Sequence, residues 1–346
     1  MTLLRGIHRS RRTGLSACRG WVSLPVVQSH RLTDLRHRRL AALAAKQGAA
    51  VSRRQVYAAG ITRWEVRAHV RARRWQLLGD QVVVLHSGPV TAEGMHWAAV
   101  FQGGPRAHLD GASALVASGL ERFHADRIRV SVPRGAQVRR TREFDIRQTR
   151  RWCAGDVEQT GVPRTKPAVA AVRAALWARS DKQAALLLSM TVQQGLATAE
   201  QVAIALLAVR RDKRRRLLHA IVLDLLGGAR SLGEIDVARE CRRRGLPSPT
   251  RQVLRKDKRG RYYLDVIWEQ WGVCVEVDGI QHGWVENAVD DALRHNAVTL
   301  QRTTVLRLPV LGLRIAPDDF FEQIEEALSA AGWSRPRVTT SSGSWS

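Results

Sequence analysis

The sequence is poor in cysteine, in lysine and in long apolar runs, and each shortage removes a class of protein. Its four cysteines, Cys18, Cys153, Cys241 and Cys274, are scattered, with no C-x-x-C pair. That excludes a zinc knuckle and a disulfide framework, and it fits a reducing compartment. No apolar stretch approaches the ~20 residues needed to cross a bilayer. The basic N-terminus is not followed by the continuous apolar core of a secretory signal. The expectation is a cytoplasmic, nucleoid-associated protein with no membrane contact. Lysine is limited to Lys46, Lys166, Lys182, Lys213, Lys256 and Lys258. The cationic charge is therefore almost all arginine, whose planar fork binds two phosphate oxygens at once.

What the chain has is positive charge. Over 346 residues, 56 Lys and Arg stand against 31 Asp and Glu, a formal net charge of +25. The length exceeds one ordinary core and points to two or three domains. Hydrophobic content of 45% with 25% charged residues is that of a globular protein. An excess of this size points to nucleic acid as the partner, with an anionic membrane surface as the weaker alternative. One tract runs the other way: between Asp265 and Glu326, twelve acidic residues stand against four basic ones. A basic chain with one acidic pocket suggests phosphate held on the basic surface and cut where carboxylates hold a metal.

The chain divides by pattern. Residues 1–36 are arginine-rich with few large apolar residues, and read as a disordered arm that either touches DNA or is a non-conserved extension or a misassigned start. Residues 37–86 read as a winged helix-turn-helix. An Ala/Leu-rich helix comes first, then two capping boxes, Ser52–Gln55 and Thr62–Glu65, separated by Gly60. The second box opens a helix in which Trp64, Val66 and Val70 are expected to pack. Arg63, Arg67, Arg71 and Arg74 are left to project onto DNA. The alternative is a plain three-helix unit whose arginines face solvent. Residues 87–160 read as a mixed α/β extension, with a period-2 strand at Arg127–Val132. Residues 161–228 read as helical, with Thr165 capping a run to Ala178. The run Arg210–Arg216 is a solvated face or a phosphate patch, and Gly227-Gly228 marks a boundary. Residues 229–333 form the last domain, and 334–346 a disordered tail.

Several stretches of the N-terminal half resemble the AbiEi-type antitoxin family, whose winged helix binds DNA. They are Val51 to Arg74, His96 to Val100, Ser113-Ala114-Leu115 with Gly119-Leu120, and Val130 to Pro133.

In the last domain, Arg261–Trp268, Val273–Asp278 and Thr303–Leu308 read as strands, with helices before, between and after them. Alternation puts Val273, Val275 and Val277 on one face and Cys274, Glu276 and Asp278 on the other. Two carboxylates emerging together repel, and a hard divalent cation resolves the conflict. Asp265, on the neighbouring strand, is placed to reach the same ion, and His282 lies just past Gly279. The basic segment Arg255, Lys256, Lys258, Arg259 and Arg261 either grips the DNA backbone or forms a solvated hairpin.

Residues 231–314 resemble the actinobacterial domain of unknown function 559, a relative of the very-short-patch repair endonucleases in the PD-(D/E)XK superfamily. The resemblance rests on Glu234, Gly260-Arg261, Asp265, Glu276-Val277-Asp278-Gly279, Gln281-His282, Asp291, Arg294, Asn296 and Val305-Leu306-Arg307. It implies a restriction-endonuclease-like mixed β-sheet flanked by helices, hence an overall mixed, multidomain α/β fold. It also implies a site in which Asp265 and Glu276 hold Mg²⁺ or Mn²⁺, with Asp278 in the position of the usual catalytic lysine. His282 takes a proton-transfer role, Glu234 is the helix-borne acid, and Arg294 points to the site. Glu234 also completes a capping box with Ser231, which alone would explain it. The expected function is a metal-dependent endonuclease that binds DNA. The alternative is an antitoxin-like transcriptional regulator with an inactive nuclease fold. A homodimer and a toxin partner stay open.

Overall fold

The computed structural model describes residues 26–138, 141–227, 237–256, 262–278, 289, 292–293, 296 and 305–335. Among the side-chain expectations, Glu234, Lys258, Arg259, Arg261, His282 and Arg294 lie outside these residues, as does the side chain of Lys256. So do residues 1–25, 228–236 and 336–346.

The N-terminal module runs α1 (Val26–Ala45), β1 (Ala50–Ser52), α2 (Arg53–Ala58), α3 (Arg63–Arg71), β2 (Gln76–Leu78) and β3 (Val82–Val84). The strands form an antiparallel sheet in the order β1-β3-β2. Helix–strand–helix–helix–hairpin in this pairing is a winged helix-turn-helix. Both capping boxes form: Ser52 and Gln55 bond reciprocally at the start of α2, and Thr62 and Glu65 at the start of α3. Leu40, Val51, Val56, Ile61, Val66, Trp75 and Val83 fill the small core. Helix α1 begins at Val26, inside the segment expected to be disordered. Its Arg36 explains why it docks, binding the Gly60 carbonyl in the turn and Glu65 on α3.

The module seats on α4 (Ala92–Gly103). Gly48 has φ +56°, and a Cβ there would meet the Gly94 nitrogen at 2.4 Å. A Cβ on Gly94 would meet the Gly48 carbonyl oxygen at 2.5 Å, so only paired glycines permit this approach.

A five-stranded mixed sheet, β6-β5-β4-β8-β7, follows. It comprises β4 (His108–Leu109), β5 (Ile128–Pro133), β6 (Phe144–Thr149), β7 (Val157–Glu158) and β8 (Arg164–Thr165), with α5 (Ala112–Ala117) packed beside it. Then come α6 (Pro167–Trp177), α7 (Asp181–Gln193), α8 (Ala199–Leu207) and α9 (Arg215–Gly227). One continuous core joins sheet and helices, from Leu109, Leu115 and Val130 to Leu188, Leu218 and Ile221.

Two sequence expectations fail in this region for the same reason, which is burial. Thr165 does not cap α6. It sits in β8, and its hydroxyl donates to buried Asp110 at 2.9 Å. Arg214 is no solvated charge. It is 8% exposed, pairs with Asp181 at 2.8 Å and donates to the Ala178 carbonyl, which α6 leaves free at its end. Arg210, Arg211, Lys213 and Arg216 are exposed.

The C-terminal domain has α10 (Val237–Arg243), a four-stranded mixed sheet, α11 (Val310–Ile315) and α12 (Pro317–Ala330). The strands are β9 (Arg251–Lys256), β10 (Tyr262–Trp268), β11 (Val273–Asp278) and β12 (Val305–Pro309), in the order β12-β11-β10-β9. β9, β10 and β11 are antiparallel neighbours, and β12 lies parallel to β11. The basic stretch before β10 reads in sequence as a grip on the DNA backbone or a solvated hairpin; its described part, β9, pairs antiparallel with β10 at the edge of the sheet. Val266, Trp268, Val273, Val275, Val277, Leu306 and Leu308 face a core closed by Phe320, Phe321, Ile324 and Leu328 of α12. Val289, Ala292 and Leu293, helical in the structure, pack there too. Buried Asn296 accepts from the Arg307 backbone N–H and donates to its carbonyl, both at 2.8 Å, mimicking a ladder partner for β12.

Arg314 on α11 makes a two-pronged pair with buried Asp224 on α9, each contact 2.9 Å. Leu311 belongs to the central core and Val310 to the C-terminal one, so α11 links the two. The chain is a mixed, multidomain α/β fold. No described helix is long and apolar enough to cross a membrane.

Candidate nucleic-acid interface and carboxylate site

The first candidate surface is α3. Val66 faces the module core, which leaves Arg63, Arg67 and Arg71, four residues apart, in a line on the exposed side. Arg74, just past the helix, is exposed as well. Trp64 corrects the sequence reading. It does not pack inward: it is 71% exposed, with the Arg67 guanidinium 5.0 Å from its ring centroid. Trp75 is the tryptophan in the module core, and His69 stacks against its ring at 4.0 Å. An arginine resting on an exposed indole is pre-oriented and gives the helix a flat apolar element among its charges. Burial, with Arg74 and His37 nearby, pushes the His69 pKa below its ordinary value and keeps the ring neutral.

The second candidate surface is the sheet face turned away from the C-terminal core. Register places Asp265 of β10 directly opposite Glu276 of β11, and Glu276 beside Arg307 of β12. Directly paired residues in antiparallel strands have Cβ atoms about 5 Å apart, so the two carboxylates share one patch. Each is held by an arginine. Asp265, with a side chain 13% exposed, pairs with Arg255 of β9, and Glu276 lies 3.5 Å from Arg307 Nε. Arg255, with its side chain 47% exposed, thus leans on the first acid. Asp278 lies one step along β11, opposite Tyr263, at the exposed end of the strand. Cys274 shares this face. Burial first, then the fields of Asp265 and Glu276, raise its thiol pKa, so it stays protonated.

The structure thus brings Asp265 and Glu276 together and sets Asp278 at their edge. Among the described residues, no group of three or more His, Cys, Asp and Glu side chains is close enough to hold a metal. As a donor set, the Asp265–Glu276 pair suits a hard divalent cation, being carboxylate-only and partly open to water. Sequence reasoning missed Arg255 and Arg307 as partners of these acids. The arginines are visible in the sequence, but their pairing follows from a β9–β10 and β11–β12 register that alternation alone does not give.

No protein-family model matches the chain, and no curated protein does. Among solved structures, the crystal structure of the RV2827C protein from Mycobacterium tuberculosis is similar, at 16% identity and a TM-score of 0.39. The match covers 61% of this chain and 80% of that one. A likeness of that size leaves function open.

Proposed function

We propose that this chain is a DNA-binding protein whose C-terminal domain hydrolyses phosphodiester bonds with the help of Mg²⁺ or Mn²⁺. The single observation that supports it most is the facing pair Asp265–Glu276 on the open side of a mixed sheet, flanked by Arg255 and Arg307. Asp265 and Glu276 would hold the ion, and a bound divalent cation supplies an acidified water and neutralises charge building on the phosphate. The arginines have their own work. With side chains 47% and 61% exposed, they can turn from the acids to the phosphate oxygens of an approaching strand. The exposed arginines of α3 would hold the duplex. The resemblance to the domain of unknown function 559 supports the reaction class, and His282 and Glu234 enter through that resemblance alone.

A second reading rests on the same face. Both acids already carry arginine partners, and Asp278 stands where a catalytic lysine is usual. An inactive nuclease fold serving an antitoxin-like regulator would have this charge balance. Plasmid cleavage with Mg²⁺ or Mn²⁺ separates the two: wild-type protein nicks or linearises DNA, while Asp265→Ala and Glu276→Ala each reduce cleavage by about 10²-fold or more. Cleavage unchanged in both variants sinks the site assignment. DNA binding without cleavage of any DNA form favours the regulator.

A further inference from the structure

A cavity of about 550 Å³ lies where the winged helix meets the central sheet. That volume is within the usual ~300–1,000 Å³ range of small-molecule sites. We propose that it binds a planar aromatic small molecule bearing one anionic group.

The walls argue for the flat ring. Trp97 and Phe101 of α4 stack on one another with centroids 5.4 Å apart, and Trp152 lies across the space, its ring 6.4 Å from that of His108. The polar groups argue for the anion. Arg54 and Arg106 are exposed where they line the cavity, and no carboxylate lines it. The guanidinium groups and the indole N–H can only donate, so the cavity asks for an acceptor.

One buried group in its wall lacks a partner, the indole Nε1 of Trp97. Buried polar groups in folded proteins nearly always carry one. His108, 1% exposed behind the same wall, is held instead by the Arg106 backbone and by the Asp110 carboxylate, 3.9 Å from its Nε2. The site also touches the winged-helix module, through Gln55 of α2 and Gln81 of the hairpin turn, so an occupant braces that module against the sheet.

The test is isothermal titration of the full chain, without nucleic acid, against adenosine monophosphate and indole-3-carboxylate separately. At least one is expected to bind with Kd below about 1 mM, and Trp97→Phe and Arg106→Gln each to weaken it about ten-fold or more. Binding of the nucleotide alone assigns the anion to a phosphate, and binding of the indole acid alone assigns it to a carboxylate. Both binding supports the shared chemistry. Far-UV circular dichroism checks each variant. If Trp97→Phe does not fold, Arg106→Gln, with its exposed side chain, decides the matter. Neither compound binding, or affinity surviving the substitutions, overturns the proposal.

Discussion

Replacing Arg63, Arg67, Arg71 and Arg74 together by glutamine tests the α3 interface. All four are exposed and none contributes to the module core, so the fold is expected to survive. Each phosphate contact to duplex DNA releases about 0.9 of a counterion, and four contacts give about 3.6 units in the slope of log K against log salt. Between about 50 and 200 mM salt, those four alone account for a loss of about a hundred-fold in affinity. Fluorescence anisotropy of a labelled duplex over that range reads the slope directly. The variant should bind weakly at low salt, with a slope flatter by about 3 units or more. The control removes as much charge elsewhere, by replacing Arg210, Arg211, Lys213 and Arg216, all exposed, with glutamine. An unchanged slope in the α3 variant, or equal losses in both sets, would refute α3 as the reading element. Equal losses would mean that net charge alone attracts DNA.

Three further outcomes follow from the geometry. Asp110→Ala removes one of the two carboxylates that hold Arg173, whose side chain is 6% exposed, and leaves it Asp156 and the Arg151 carbonyl. The expected cost is about 1–3 kcal/mol, and a melting point lower by roughly 2 °C or more. A drop under about 2 °C by differential scanning fluorimetry would contradict it. Burial, the largest influence on His108, holds its pKa below 6.5. The unfolded chain then takes up that proton first as pH falls, so stability declines below about pH 6.5. His108→Phe should flatten that decline in melts between pH 7 and 5, and an equal decline would show that His108 is not its source. Thr62→Ala removes the side-chain acceptor for the Glu65 N–H at the start of α3. It should cost about 1 kcal/mol in urea unfolding, with no change in the mid-point counting against the cap.

Much of this was written in the chain. Val273, Val275 and Val277 alternate with Cys274, Glu276 and Asp278 in sequence and do so in β11, because strand geometry leaves a side chain no choice of face. Ser52–Gln55 and Thr62–Glu65 cap their helices because the bonds span three residues and need no distant partner. Trp64, Thr165 and Arg214 were misread, the last two because their fates depend on what lies across the chain. Trp64 lies about 200° round α3 from buried Val66, Asp110 captures Thr165, and the end of α6 captures Arg214.

The candidate sites divide in the same way. The sequence by itself determined the arginine line of α3 and the alternation of acids and valines in β11, since both follow from the local periods of helix and strand. Only the tertiary structure decided that Asp265 faces Glu276, that Arg255 and Arg307 balance them, and that His108 and Trp97 meet in one cavity. Those contacts join segments tens of residues apart. Their geometry is set by strand register and by packing between the winged helix and the central sheet, which no local pattern encodes.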